Sequence, residues 1–238
     1  MAELYRASNL CRRYGPVEAV RRCSFVIEER DLVCITGPNG AGKSTLIELL
    51  AFLIPASDGE LWFRGHRISP GRAVNGKYAG QVTLMLQDPY LFDGSVRRNL
   101  EMALKAHRVG EFERSRRIVN ILERLNLEHL ADRPAKSLSA GEKQRVALAR
   151  AVCLSTPVLL LDEPTANLDE EHLSLVESLI RGLRDEKDVA IVMVTHDVSL
   201  AGRLGADVWH MYEGSLLPRL EVADAPVDLT EEGRKYAG

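Results

Sequence analysis

The chain has 238 residues, 45% of them hydrophobic and 27% charged, with a formal net charge of −3. That is enough for one large domain or two small ones with a sizeable core, and the balanced charge excludes an overall basic field drawing the protein to nucleic acid or anionic lipid. Arg12-Arg13, Arg21-Arg22, Arg97-Arg98 and the run Arg114, Arg116, Arg117 read as solvated faces. Cys11, Cys23, Cys34 and Cys153 are too scattered for a metal-ligand cluster and suggest reduced thiols in a cytosolic protein. The start, Met-Ala-Glu-Leu-Tyr-Arg, has no secretory character, and no stretch approaches the ~18 apolar residues needed to cross a bilayer, so any membrane role is expected to use a partner.

From the N-terminus, apolar and polar residues alternate through Leu4, Leu10, Val20, Phe25 and Ile27 around a turn at Gly15-Pro16, which predicts antiparallel strands. Leu32 to Thr36 is a short apolar strand, followed by a glycine-rich loop and a helical pattern over residues 45–52. Asp58-Gly59, ahead of an apolar stretch that ends at Gly65, reads as a second hairpin. From about residue 88 to 155 the period turns helical. Ile118, Ile121, Leu122 and Leu125 share one face, and residues 138–152 form another amphipathic stretch. Strands at 158–161, 189–195 and 207–212 then alternate with helices at 170–184 and up to 204, which implies a parallel sheet. The strands at 158–161 and 189–195 are apolar throughout, as strands covered on both faces are.

Gly37-Pro38-Asn39-Gly40-Ala41-Gly42-Lys43-Ser44, with Thr45 next, fits the phosphate loop G-x-x-x-x-G-K-[ST] and lies between a strand and a helix, as that chemistry requires. Its glycines let backbone N–H groups converge on β- and γ-phosphates, and the helix start presents its positive end. Lys43 adds a cation for the same oxygens, and the Ser44 hydroxyl is placed for Mg²⁺. The expected fold class is therefore α/β: a phosphate-loop NTPase core with a mostly parallel sheet, an N-terminal antiparallel β part and an inserted helical subdomain. We place the nucleotide-binding core at about 1–87 and 156–214, the helical subdomain at about 88–155 and a short appendage at about 215–238, all within a single cassette.

Leu138-Ser139-Ala140-Gly141-Glu142-Lys143-Gln144, followed by Arg145 to Arg150, resembles the Leu-Ser-Gly-Gly-Gln signature of ATP-binding-cassette proteins. Val158 to Glu163 resembles their acidic strand-end motif, and Ala166-Asn167-Leu168-Asp169 the loop after it. Gln87 matches the glutamine at the subdomain junction, His196 the switch histidine, and Tyr14 the aromatic residue against adenine. The resemblance spans about residues 3–214, with two departures: Ala140 replaces a glycine, and Glu142 stands where glutamine is usual.

Independently of the family, Asp162 ends a buried strand beside the phosphate loop and can hold a Mg²⁺ shell. Glu163, one residue on, is the natural general base, and His196 can hydrogen-bond the γ-phosphate. Gln87 joins both the metal shell and the catalytic set by resemblance. Ser139 can cap its helix, and Gly141 leaves N–H groups open to an anion. The resemblance implies that Ser139, Gly141, Glu142 and Asp169 contact ATP held by a second copy in a head-to-tail homodimer.

ATP and Mg²⁺ are the expected cofactors. Permease subunits in the membrane and a separate substrate-binding protein are the expected partners, nucleic acid is not, and the expected place is the cytoplasmic face of the membrane, peripheral through the permease. The resemblance favours an importer, and residues 87–96 are similar to those of oxyanion importers for tungstate, molybdate or phosphate. An exporter subunit, a nucleic-acid-acting cassette and a regulatory module without turnover are the alternatives. Tyr90, Leu91 and Phe92 are expected to line a groove for a permease helix, the alternative being that they fill the subdomain's own core.

Overall fold

The computed structural model describes residues 2–68, 78, 80–186 and 189–217. Strand β1 (Glu3–Tyr14) turns at Gly15-Pro16, with Gly15 at φ +58°, into β2 (Val17–Glu28), and the two pair antiparallel with Tyr14 opposite Val17. Strand β4 (Asp58–Phe63) joins the other edge of β1, and β5 (His66–Ile68) joins β4. The hairpin expected at Asp58-Gly59 is displaced. Both residues lie inside β4, and the turn is Arg64-Gly65, at φ +47° and +73°, between the paired Phe63 and His66. Gly59 is a glycine for a different reason: a Cβ there would sit 2.1 Å from the Asn9 carbonyl oxygen, where the β1–β4 register shifts between Ser8 and Cys11.

The second sheet contains β3 (Leu32–Thr36), β6 (Val82–Met85), β7 (Val158–Asp162), β8 (Ala190–Val194), β9 (Asp207–Tyr212) and β10 (Ser215–Leu216), in the order β10-β9-β3-β8-β7-β6. All neighbours are parallel except β9 and β10. Strand β6 lies at an edge and is only four residues long, too short for a periodicity signal. Ser215 and Leu216, expected in the appendage, pair with Tyr212 and Met211 as β10, while residues 218–238 lie outside the described residues.

The central strands are buried on both faces, and their side chains divide by parity. Leu32, Cys34, Leu159, Leu161, Ile191 and Met193 enter one core. Val33, Ile35, Val158, Leu160, Ala190 and Val192 enter the other. The second core lies between this sheet, the antiparallel sheet and α1 (Lys43–Leu50). The first packs against α2 (Val96–Ala106), α3 (Glu111–Arg124), α4 (Ala140–Cys153), α5 (Glu170–Glu186) and α6 (Val198–Leu204). Ile118, Ile121, Leu122 and Leu125 are all buried, as their spacing predicts. Arg145 Nη1 donates to the carbonyls of Leu125 and Asn126, joining α4 to the end of α3. Cys11, Cys23, Cys34 and Cys153 are buried thiols that form no disulfide with one another, and burial pushes the Cys34 thiol up to about 12.

Two glycines in β4 and its turn separate steric from conformational cost. A Cβ on Gly65 would meet nothing within 4 Å, so Gly65→Ala should cost only the left-handed backbone penalty of ~1–2 kcal/mol. Gly59→Ala adds a clash with main chain, so urea unfolding should show a clearly larger loss than for Gly65→Ala.

Candidate functional site

The loop between β3 and α1 is threaded through a narrow gap. A Cβ on Gly37 would lie 2.0 Å from the Met211 carbonyl oxygen, and one on Gly42 would lie 2.0 Å from that of Ala19. Both glycines also have positive φ, +138° and +101°. Any other residue at either place would push the loop away from β9 or β2. Lys43, the first residue of α1, is buried, and its Nζ donates to the carbonyls of Gly37 at 2.8 Å and Pro38 at 2.9 Å. Burial pushes its pKa down, while Glu163 and Asp162 oppose that shift.

Asp162 is the last residue of β7 and is 4% exposed. Ser44 lies beside its carboxyl and pulls its pKa down, yet Oδ1 is buried without a partner. Glu163 leaves the strand at φ +50°, a left-handed conformation uncommon for a residue with a side chain. Its N–H donates to Val194 O at 3.0 Å, and its carbonyl accepts from Gln144 Nε2 at 2.7 Å. Glu163 Oε1 accepts no hydrogen bond and lies 3.2 Å from His196 Nε2. Burial raises the pKa of Asp162 and of Glu163, against the pull of Ser44 on the first and His196 on the second.

These residues face one cleft of about 320 Å³, lined by Ala19, Asn39, Gly40, Gly42, Lys43, Ser44, Thr45, Gln87, Asp162, Glu163, Val194 and His196. A Mg²⁺ ion fits this donor set: the unpartnered Asp162 Oδ1, the Ser44 hydroxyl and the exposed Gln87 amide are hard oxygen ligands. Among the described residues no cluster of three or more His, Cys, Asp or Glu could hold a metal. Ala19 and Val194 carried no sequence signal as lining residues.

Other expected site residues lie elsewhere. Ala41 is buried and joins the core, its carbonyl accepting from Gly214 N–H. Tyr14, Ser139, Gly141, Glu142 and Asp169 do not line the cleft. Tyr14 is exposed at the end of β1, with the Arg12 guanidinium 4.5 Å from its ring centre. Ser139 caps α4: its Oγ accepts from Glu142 N–H, and the Glu142 carboxylate returns to accept from Ser139 N–H at 2.6 Å. Glu142 is thus turned onto its own helix, 3.4 Å from Arg133 Nη1, and the Ser139 N–H pulls its pKa down. A Cβ on Gly141 would lie 2.7 Å from Asn167 O. Asp169 Oδ1 accepts from His172 N–H at 2.9 Å.

The buried carboxyls have a consequence for stability in the nucleotide-free protein. A raised folded-state pKa favours the folded chain below the unfolded value, and that contribution is lost as pH rises through the folded value. Asp162→Asn and Glu163→Gln should therefore raise the thermal midpoint near neutral pH. The gain should shrink to nothing as the solution is acidified below the ordinary carboxylate range, which melts across pH can follow.

The family model for ABC transporters matches residues 20–166. The arginine transport ATP-binding protein ArtP of Haemophilus influenzae is 37% identical over 219 residues, covering 89% of this chain and 90% of that protein. The molybdate/tungstate import ATP-binding protein WtpC of Methanocaldococcus jannaschii is 36% identical over 200 residues, covering 83% of this chain but 64% of that longer protein. Among solved structures, the dimeric post-hydrolysis state of the ATP-binding cassette MJ0796, bound to ADP and Pi, superposes with a TM-score of 0.82 at 25% identity, covering 93% of this chain and 100% of that one. With its phosphate loop and paired carboxylates in one cleft, the chain belongs to the ABC transporter family, as an ATP-binding and ATP-hydrolysing cassette.

Proposed function

We propose that the cleft binds MgATP and that Glu163 is the general base of its hydrolysis, in a subunit that powers import through separate membrane chains. The observation that carries this reading is the pair of buried carboxyls at the end of β7, one sharing the cleft with Ser44 and the other beside His196. The loop N–H groups and Lys43 take the β- and γ-phosphates, Lys43 giving up its bonds to Gly37 and Pro38. Asp162, Ser44 and Gln87 would hold Mg²⁺, which would supply neutralising charge to the phosphate oxygens. Glu163 accepts a proton from the attacking water, a contribution of ~10²- to 10⁴-fold, and its raised pKa makes it the stronger base once ionised. His196, half exposed at the cleft edge, orients the γ-phosphate and Glu163.

Ser139, Gly141, Glu142 and Asp169 lie outside their own cleft, which supports a head-to-tail second copy in which they close over the partner's ATP. The Ser139 oxygen is engaged as a cap acceptor, leaving its hydroxyl hydrogen for a phosphate. Tyr14 stacks on adenine in this reading.

Docking to the permease is assigned to a groove of about 330 Å³ that includes Leu84, Met85, Leu86, Tyr90, Phe92 and Arg150. Tyr90 and Phe92 are exposed, whereas Leu91 packs against the helical core and leaves the expected trio. Arg150 helps form the floor, its guanidinium carbon 5.7 Å from the Phe92 ring centre. Among the described residues no helix is long and apolar enough to cross a membrane, in keeping with a peripheral subunit at the cytoplasmic face. Import, with a separate substrate-binding protein, is favoured by relatives named for arginine and for molybdate/tungstate. Because those two differ by a single percentage point of identity, 37% against 36%, the oxyanion reading gains no preference and substrate choice rests with the partner chains.

Glu163→Gln keeps shape but cannot take a proton, so hydrolysis should fall by ~10²-fold or more while an ATP-bound dimer accumulates on size exclusion with MgATP. Asp162→Asn should weaken Mg²⁺-dependent binding and give little dimer. Ser139→Ala added to Glu163→Gln should shrink the trapped dimer. Near-parent hydrolysis by Glu163→Gln would remove the base assignment.

The groove is tested separately. Tyr90→Ser with Phe92→Ser should leave the isolated chain's ATPase rate near the parent value and abolish copurification with coexpressed permease subunits. Retained copurification would place docking elsewhere.

A further inference from the structure

Glu163 is held by its backbone as well as by its side-chain neighbours. At φ +50° its carbonyl turns away from the sheet ladder, so that oxygen needs donors from outside the strand. Two are present. Ala166 N–H supplies one at 3.2 Å from within the local turn. The other, at 2.7 Å, is the side-chain amide of Gln144, which is 1% exposed and belongs to α4. The N–H of Glu163 is fixed at 3.0 Å to Val194 O, at the end of β8. The residue is thus pinned on one side by the sheet and on the other by a helix.

That helix is the one whose first turn carries the Ser139 capping box. Its contact with the segment after β7 is made twice. Gly141 packs so close to Asn167 that a Cβ would come within 2.7 Å of the Asn167 carbonyl oxygen, and Gln144 bonds Glu163 one turn further on. Asn167 is itself left-handed, at φ +62°. Both strained residues of this segment therefore lie directly under α4. A helix is stiff along its length, so a shift of its exposed start is transmitted to the Glu163 peptide within the same chain.

We propose that Gln144 is a positioning residue for hydrolysis: its buried amide holds the Glu163 backbone in the left-handed conformation that aims the carboxylate into the cleft, and it ties that aim to the position of α4. The proposal rests on Glu163 being the base. It predicts that the amide matters to the chemical step and little to nucleotide binding, because the phosphate loop and Lys43 are built from β3 and α1 and make no contact through Gln144.

The test uses the full chain. Gln144→Met keeps length and helix propensity but removes the donor, and Gln144→Asn keeps an amide too short to reach. Each should lower kcat by ~10- to 10²-fold, the scale of a misplaced catalytic group, with KM for MgATP changed less than ~2-fold. A double-mutant cycle supplies the readout that a merely structural role would not produce. In the Glu163→Gln background, Gln144→Met should cause no further loss in single-turnover hydrolysis, because the group it positions is already gone. Parent-like kcat in either folded variant overturns the inference, and so does an additive loss in the double variant. If Gln144→Met does not fold, Gln144→Asn carries the same two measurements. Parent-like hydrolysis by Glu163→Gln alone would instead remove the base assignment, a separate failure.

Discussion

The structure depends on how close the loop after β3 comes to two neighbouring backbones. Gly37 lies against the Met211 carbonyl and Gly42 against that of Ala19, approaches that no side chain allows. The squeeze fixes where the loop's N–H groups point and where α1 begins, and hence where Lys43 and Ser44 sit relative to β7. It also joins the two halves of the fold, since Ala19 belongs to the antiparallel sheet and Met211 to the parallel one. The turn after β9 strengthens the junction: Gly214 accepts from Arg21 N–H and donates to Ala41 O. Side-chain charges can act on a phosphate only because this main-chain arrangement is set first.

Around that fixed point the cleft gathers groups from separate elements. Asp162 and Glu163 come from the end of β7, His196 follows β8, and Gln87 follows β6, all at the carboxyl ends of parallel strands. Their electrostatics oppose one another. Burial raises the carboxyl pKa values and depresses that of Lys43, while their mutual attraction works against both shifts. The cleft is therefore costly to keep charged when empty, and a bound cation with phosphates changes the balance. Glu142, outside the cleft, shows the same balance, its acidic group met locally by the Ser139 N–H and Arg133.

Much of this was legible in the sequence because its signals are local. The bounds of β3 and β9, the helical face through Ile118 and Leu125, and the phosphate loop follow from short-range pattern. The displaced elements depend on distant neighbours. Asp58-Gly59 signals a positive φ, but a bulge against Asn9 satisfies that need as well as a hairpin does. Strand β6 is too short to show a period, and β10 is a two-residue extension that only its partner β9 defines. Leu91 carries no mark that separates it from Tyr90 and Phe92, yet it turns inward. Gln144 sat within a recognised motif, but the burial that gives it meaning comes from contact with a residue 19 positions away.

The thiols have a practical consequence. All four cysteines are buried, and Cys34, pushed up to about 12, has essentially no thiolate to offer at physiological pH. Alkylating reagents and oxidants act on exposed thiolates, so the native chain presents them with little to attack. A single cysteine introduced on the surface, beside Ser139 or along the groove at Tyr90, would stand alone against a silent background. The fold thus comes ready for site-specific fluorophores or spin labels, with its own sulfur left in place.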